Sequence, residues 1–191
     1  QAKGGGTGRV GFFSPELRLA AEERLALERA LREALQGGGS QLHYQPQVDL
    51  RSGRVVGFEA LLRWHSSELG SVTPEEFIPI AEENGLITAI DRWVLLHACR
   101  QIRSWLDSGL SLDFIAVNIS SRLFSNAALD REIARILFNT GLEAKYLELE
   151  ITESAVMQDP DAAVELLQRL RALGVQLAID DFGTGYSSLL R

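Results

Sequence analysis

The sequence has few of the features that would cross-link it, carry it across a membrane or draw it to nucleic acid. It contains one cysteine, Cys99, so no intrachain disulfide can form. No apolar run approaches the about 20 residues that a membrane-spanning helix needs. The formal net charge is -7, which leaves no basic surface for DNA or RNA and no polybasic patch for anionic lipid. An acidic protein can still bind a phosphorylated ligand if a metal ion supplies the positive charge.

Several common catalytic patterns are missing too. No serine or cysteine lies in a nucleophile elbow, and Cys99 lies on an apolar helical stripe that predicts a buried thiol. The glycine pair of Gly183-Thr184-Gly185 matches neither a Walker nor a dinucleotide-binding motif. The histidines are scattered and form no ligand pattern: His43, His65 and His97.

The composition is that of a globular domain with a core, because 46% of the 191 residues are hydrophobic and 24% are charged. The chain begins with Gln1 and lacks a signal-peptide pattern, so we expect it to be part of a longer protein. Residues 14–36 are predicted to form a helix with Leu27, Leu31 and Leu35 along one side. This helix is interpreted as a connector, whose leucines pack on the next domain or pair with a partner helix.

The remaining residues, 41–191, are predicted to form one α/β domain. Residues 42–50 and 55–64 are two strands with a hairpin-length connection, so they are expected to be antiparallel. Helices and strands then alternate, which implies parallel strands with helical crossovers. The expected fold is a modified TIM-type (β/α) barrel with an antiparallel first strand. Five strands are predicted where a closed barrel needs eight, so only about the first half is expected here.

Polar side chains recur in or at the end of the predicted strands. The carboxyl ends of parallel strands lie on one face, where two Glu, one Asn and one Asp would suit Mg²⁺ or Mn²⁺ better than zinc. Each residue alone has an alternative role as a helix cap or sheet-edge residue, but four at equivalent positions favour a metal site. The four candidates are Glu59, Asn118, Glu150 and Asp180.

Four further residues have two interpretations each. Arg63 either binds a ligand phosphate or is a surface arginine. Gln45 either hydrogen-bonds the edge of a base or hydrogen-bonds backbone groups near Pro46. Glu153 is expected on the loop after the strand that contains Glu150, where it braces another loop or is solvated. Asp181 positions a water or second metal ion, or caps the turn that follows it.

Four motifs resemble those of EAL domains, the bacterial phosphodiesterases that linearise cyclic di-GMP to pGpG. The stretches that carry the resemblance are Glu-Ala-Leu-Leu-Arg-Trp from Glu59, Val-Asn-Ile-Ser from Val117, Glu-Leu-Glu-Ile-Thr-Glu-Ser from Glu148, and Asp-Asp-Phe-Gly-Thr-Gly-Tyr-Ser-Ser-Leu from Asp180. Tyr44-Gln45-Pro46 and residues 77–85 match as well. The resemblance covers residues 41–191.

The resemblance implies a role for each candidate residue. Glu59, Asn118, Glu150, Asp180 and Asp181 are implied as metal ligands for one or two Mg²⁺ or Mn²⁺ ions, with Ca²⁺ inhibitory. Gln45, Leu62 and Arg63 are implied as substrate contacts. Catalysis is implied to depend on Glu59, Asp181 and Glu153, the last of which steadies the glycine loop and couples it to dimerisation.

The resemblance also implies partners and a context. Cyclic di-GMP is the expected ligand, a homodimer the expected assembly, and the cytoplasm the expected location, with any membrane anchor in other domains. Residues 1–13 resemble the tail of a GGDEF diguanylate cyclase domain, which makes residues 14–40 an interdomain connector. A catalytic lysine and further ligands are expected beyond Arg191. The alternatives are a non-catalytic cyclic di-GMP receptor, or an inactive half-barrel that associates through its strand edges.

Overall fold

A six-stranded sheet, covered by helices, forms the centre of the molecule. The computed structural model describes residues 24–34, 39–66 and 68–181. The strands are β1 (Ser40–Val48), β2 (Val55–Ser66), β3 (Gly70–Val72), β4 (Phe114–Ile119), β5 (Leu147–Thr152) and β6 (Gln176–Asp180). The helices are α1 (residues 24–34), α2 (Pro74–Glu83), α3 (Ile87–Asp107), α4 (Ser121–Phe124), α5 (Leu129–Thr140), α6 (Glu153–Gln158) and α7 (Pro160–Ala172), with one 3₁₀ turn at Ala144–Tyr146.

Strands β1 and β2 form the antiparallel hairpin that the sequence predicts, with Gln45 opposite Glu59. The turn is closed by the Asp49 side chain, which accepts a 2.8 Å hydrogen bond from the backbone N–H of Ser52. Gly53 adopts φ 70° there, a conformation that side chains with a Cβ rarely adopt. Pro46 is tolerated because β1 lies at the edge of the sheet, where one backbone N–H can be lost.

The sheet order is β1-β2-β4-β5-β6, and every pairing after the hairpin along this path is parallel. Helices connect these parallel strands, as the alternating pattern predicts. The fold is therefore α/β with an antiparallel first strand, and the expected fold class is confirmed. The additional strand β3, which the sequence did not predict, pairs antiparallel with the end of β2.

The two faces of the sheet differ sharply in polarity. Apolar side chains of β4 and β5, such as Ile115, Val117 and Leu149, are fully buried against the helices. The rings of Tyr44 and Phe58 also point to this side, because both pack against Trp105 of α3 at centroid distances of 4.8 and 4.9 Å. Successive side chains of a strand alternate between faces, so the intervening residues point to the opposite face.

Helix α1 packs on this core and is not a detached connector over its described residues. Leu31 is only 1% exposed, and Leu27 packs against the same core cluster. Of the two predicted roles for the leucine stripe, packing on the next domain is therefore correct for Leu27 and Leu31. Cys99 is fully buried, as predicted, and burial raises the pKa of its thiol to about 12.

Some predicted features lie outside the described residues. These are residues 1–13, the first part of the helix predicted over 14–36, Leu35, and the glycine loop at 183–185. Helices α4 and α6 are short elements that the sequence interpretation treated as loops. Each begins at a side-chain cap, since Ser120 accepts a hydrogen bond from the N–H of Leu123 and Thr152 from that of Ala155.

Candidate active site

The candidate residues share the polar face of the sheet, away from the helices. Strand register aligns them, because Gln45 lies opposite Glu59, Asn118 beside Glu150, and Thr152 beside Asp180. Paired residues of neighbouring strands point to the same face. The polar side chains on this face include Gln45, Gln47, Glu59, Arg63, Asn118, Glu148, Glu150 and Asp180.

Asn118 and Glu59 are in direct contact. The Asn118 side-chain amide donates a 2.8 Å hydrogen bond from Nδ2 to Glu59 Oε1. Asn118 follows the buried residues 115–117 of β4, and Glu59 lies in the middle of β2. This hydrogen bond uses the nitrogen of the Asn118 amide, and the same amide also carries an oxygen. Asn118 and Glu59 therefore present both carboxylate and amide oxygens on one face.

Glu150 lies within the field of the other carboxylates. Its pKa is raised from 4.5 to about 7, first by burial and then by the negative charges of Glu59, Asp180 and Glu148. A hydrogen bond with the side chain of Gln47 acts in the opposite direction and lowers it. Burial is thus the larger cause of the raised pKa, and like charges from β2, β5 and β6 add to it.

Asp180 and Asp181 end the last described strand. Asp180 is exposed, and its Oδ1 accepts a 2.8 Å hydrogen bond from the backbone N–H of Asp181. Asp181 has φ 56°, the left-handed region that few non-glycine residues occupy. Such a conformation costs about 1–3 kcal/mol and persists only where the surrounding structure holds it.

Arg63 and Gln45 lie on either side of Glu59 on the polar face. Arg63 is half-buried, and its Nη1 donates a 2.9 Å hydrogen bond to the carbonyl oxygen of Leu62. Gln45 is exposed on β1 directly opposite Glu59. Both side chains can therefore reach a ligand that lies over Glu59.

Leu62 does not share this face, which argues against its expected role as a substrate contact. It is an even-numbered residue of β2, like Phe58 and Trp64, and packs against the apolar core. Leu61 is the leucine that points to the same side as Glu59 and Arg63. The strict two-residue period of a strand could have identified it from the sequence.

Glu153 lies in a different local structure from the one expected. It is the first residue of α6, after the cap Thr152, and not part of a loop. A carboxylate in the first helical turn interacts favourably with the helix N-terminus. The residues of the glycine loop that it was expected to brace lie outside the described part of the chain.

Gln47 is a site residue that the sequence interpretation did not include. It lies two residues after Gln45 on the same strand, so it points to the same face, and it contacts Glu150. The signal was the Gln-Pro-Gln spacing of residues 45–47. Pro46 between them is typical of an edge strand, a bulge or a strand break, and the structure continues β1 through it as the edge strand, with a register shift at Gln47/Val48.

The donor set fits a hard divalent cation. Carboxylate and amide oxygens are the ligands that such ions prefer, and mutual repulsion already raises the pKa of Glu150. Within residues 24–34, 39–66 and 68–181, no three acidic, histidine or cysteine side chains form a group arranged to hold a metal ion. Ligation would therefore need the Asn118 amide oxygen and a small rearrangement of the acids.

Comparison with known proteins identifies the family. The model of the EAL domain family matches residues 28–191, so the chain belongs to the EAL domain family. It is 47% identical over 189 residues to the bifunctional diguanylate cyclase/cyclic di-GMP phosphodiesterase MucR of Pseudomonas aeruginosa, with 99% of this chain and 28% of MucR covered. The cyclic di-GMP phosphodiesterase NbdA of the same organism is 45% identical, with 99% of this chain and 24% of NbdA covered.

A solved structure, a PaMucR phosphodiesterase in complex with c-di-GMP, has the same fold. It superposes with a TM-score of 0.82 at 48% sequence identity, covering 86% of this chain and 67% of that chain. The chain thus spans about a quarter of the length of the curated relatives and two thirds of the solved domain. Across the described residues, no helix is both long and apolar enough to cross a membrane.

Proposed function

We propose that the protein to which this chain belongs hydrolyses one phosphodiester bond of cyclic di-GMP and releases linear pGpG. Membership of the EAL family supports the proposal, as do relatives named as cyclic di-GMP phosphodiesterases and a similar domain solved with c-di-GMP. The chain has a formal net charge of -7, so a metal ion that neutralises phosphate charge would favour binding of a diphosphate ligand.

One observation carries the proposal. Strand register places Glu59, Asn118, Glu150 and Asp180 on one face of the sheet, and Asn118 donates a 2.8 Å hydrogen bond to Glu59. Acids that repel one another on an exposed polar face contribute nothing to folding, so their convergence indicates a site for a cation.

Glu59, Asn118, Glu150, Asp180 and Asp181 are the residues that would hold one or two Mg²⁺ or Mn²⁺ ions. When bound, such an ion neutralises phosphate charge and lowers the pKa of a bound water. Ca²⁺ is expected to inhibit, because it is larger and takes longer, less regular bonds to oxygen.

The remaining roles belong to the chain's own side chains. Arg63 binds a phosphate oxygen of the ligand, and Gln45 contacts it from the neighbouring strand. Gln47 orients Glu150 by its hydrogen bond. We further propose that Glu153 steadies the chain after Asp181, that the protein acts in the cytoplasm as a homodimer through this domain, and that a diguanylate cyclase domain precedes it.

The test is hydrolysis of cyclic di-GMP by the whole protein, with pGpG separated by chromatography. With Mg²⁺ or Mn²⁺, we expect turnover in the wild type and roughly 100-fold less in Glu59→Gln and Glu150→Gln. Glu165→Gln, an exposed glutamate of α7, is the matched control and is expected to keep full activity. Tight binding of cyclic di-GMP without any pGpG from the wild type would instead identify a receptor.

A further inference from the structure

A buried carboxylate that the proposed mechanism does not use lies beneath the end of β4. Asp91 of α3 is only 6% exposed. The hydroxyl of Ser120 donates a hydrogen bond to its Oδ2. A buried carboxylate is costly unless hydrogen bonds compensate for lost water, so such groups persist where they fix a structure.

Ser120 uses its hydroxyl twice. The Oγ atom donates to Asp91 and accepts a 3.2 Å hydrogen bond from the backbone N–H of Leu123. It is the cap of α4, with an extended backbone at φ -63° and ψ 151°. Because both the proton and a lone pair are committed, the Ser120 side chain has one favourable rotamer, and the turn from β4 into α4 is fixed by it.

Asn118 lies near the end of β4, two residues before Ser120. The pairing of β4 with β2 ends at Val117, which lies beside Ala60. Asn118 is therefore one residue beyond the last β2 partner, although it still pairs with β5 beside Glu150. On the side of β2, the backbone ladder therefore does not hold Asn118, and the next fixed point of the chain after β4 is Ser120.

A second contact anchors the same turn. Arg122 of α4 donates a 2.8 Å hydrogen bond from Nη1 to the carbonyl oxygen of Glu82, near the C-terminal end of α2. A cation is favourable at a helix C-terminus. Helix α4, although only four residues long, is thus tied to α3 through Asp91 and to α2 through Arg122.

We propose that Asp91 is a positioning residue for Asn118, acting through Ser120 to orient the amide toward Glu59 and toward the bound cation. The expected effect of Asp91 on catalysis rests on the proposed function. The geometric part, that Asp91 sets the position of the Asn118 amide, does not require that function. Outer contacts of this kind typically change metal affinity 10- to 100-fold when removed.

Glu132 supplies a matched control for plain stability. It is a second buried carboxylate, 9% exposed, on α5, and it accepts hydrogen bonds from Arg92, the neighbour of Asp91 on α3. Substitution of either residue by alanine removes a buried, hydrogen-bonded carboxylate at α3. Only Asp91 contacts the turn after Asn118, so the two variants separate positioning from stability.

The experiment measures the Mn²⁺ dissociation constant of the whole protein by electron paramagnetic resonance, well below every variant's melting temperature. We expect Asp91→Ala and Ser120→Ala each to raise this constant about tenfold, and the double variant to raise it no further than Asp91→Ala, because Asp91→Ala already removes the contact that Ser120→Ala removes. Ser120→Thr keeps the hydroxyl and is expected to bind Mn²⁺ as the wild type does. Glu132→Ala is expected to lower the melting temperature and leave the constant unchanged.

A second readout makes the test independent of metal binding and turnover. The side-chain amide signal of Asn118 in a ¹⁵N NMR spectrum, assigned by its loss in Asn118→Asp, is expected to shift in Asp91→Ala and Ser120→Ala but not in Glu132→Ala. If the wild type neither binds Mn²⁺ nor hydrolyses cyclic di-GMP, the proposed function fails, and this signal still decides the positioning role. An Asn118 signal that is unchanged in Ser120→Ala, or that moves equally in Glu132→Ala, would overturn the inference.

Discussion

Asn118 donates a 2.8 Å hydrogen bond to Glu59, although 59 positions separate them in the sequence. The contact links β2 to β4 at the point where their backbone pairing ends, one residue after the pair Ala60 and Val117. It is therefore made by side chains alone, and it orients a carboxylate that would otherwise be free to rotate at an exposed surface.

Replacing Asn118 by alanine is expected to lower the rate of cyclic di-GMP hydrolysis by roughly tenfold or more. The substitution removes the donor that orients Glu59 and one proposed oxygen ligand. Asn139→Ala, at an exposed position near the end of α5, is the control and is expected to leave the rate unchanged. Equal rates of hydrolysis for Asn118→Ala and the wild type would contradict a role for Asn118 in the site.

The two leucines after Ala60 are expected to respond in opposite ways. Leu62→Ala removes a side chain that packs on the core, so we expect a loss of about 1–3 kcal/mol in unfolding free energy with little change in KM for cyclic di-GMP. Leu61→Ala is expected to raise KM with a smaller loss of stability. Urea denaturation and steady-state kinetics check both, and the reverse pattern would restore Leu62 as the substrate contact.

Helix α1 is expected to contribute to the stability of the domain that follows it. Leu31 is 1% exposed, so Leu31→Ala should cost about 2–5 kcal/mol of unfolding free energy. Leu25, on the same helix but 66% exposed, is the control, and Leu25→Ala should change stability by less than about 0.5 kcal/mol. Similar losses in both variants, measured by urea denaturation, would mean that α1 does not pack on this core in solution.

Gly57 is expected to tolerate no side chain. A Cβ there would lie 2.7 Å from the carbonyl oxygen of Phe114 and 2.9 Å from its ring. Gly57→Ala should therefore cost about 1–3 kcal/mol and displace β2 two residues before Glu59. Phe114→Leu in the same chain should not restore the melting temperature, because the nearest obstacle is backbone. Full restoration would show that the ring alone is the obstacle.

The stability contribution of Asp91 is expected to fall as pH rises. Burial raises its pKa from 3.8 to about 6, against hydrogen bonds from Ser120 that lower it. The folded state thus binds this proton more tightly than the unfolded state. The contribution is complete below about pH 3.8 and is lost as pH rises through 6.

Comparison with Asp91→Asn isolates this group from the other carboxylates. The amide does not titrate, so the unfolding free energy of the variant relative to the wild type should increase between pH 4 and pH 7. The increase should be at most about 3 kcal/mol, from a shift of about two pKa units. Urea denaturation at the two pH values measures it, and a difference that is the same at both would contradict the raised pKa.

Local sequence patterns predicted the elements and their pairing well, because they depend on short-range physics. The hairpin turn at residues 51–54 and the alternation of strands and helices follow from backbone preferences and hydrophobic period. The capped turns α4 and α6 were not predicted, since a serine or threonine before a short polar stretch is equally typical of a loop.

The sequence by itself determined that acids and an amide follow the strands, that the fold is α/β, and that the chain belongs to the EAL family. Only the tertiary structure decided that Gln47 lies beside Glu150 and that Asp91 lies under Ser120. The physical reason is the distance along the chain over which each effect acts. Propensity and periodicity act over a few residues, whereas these contacts depend on how the twisted strands and the helices over them pack, which no single stretch of sequence encodes.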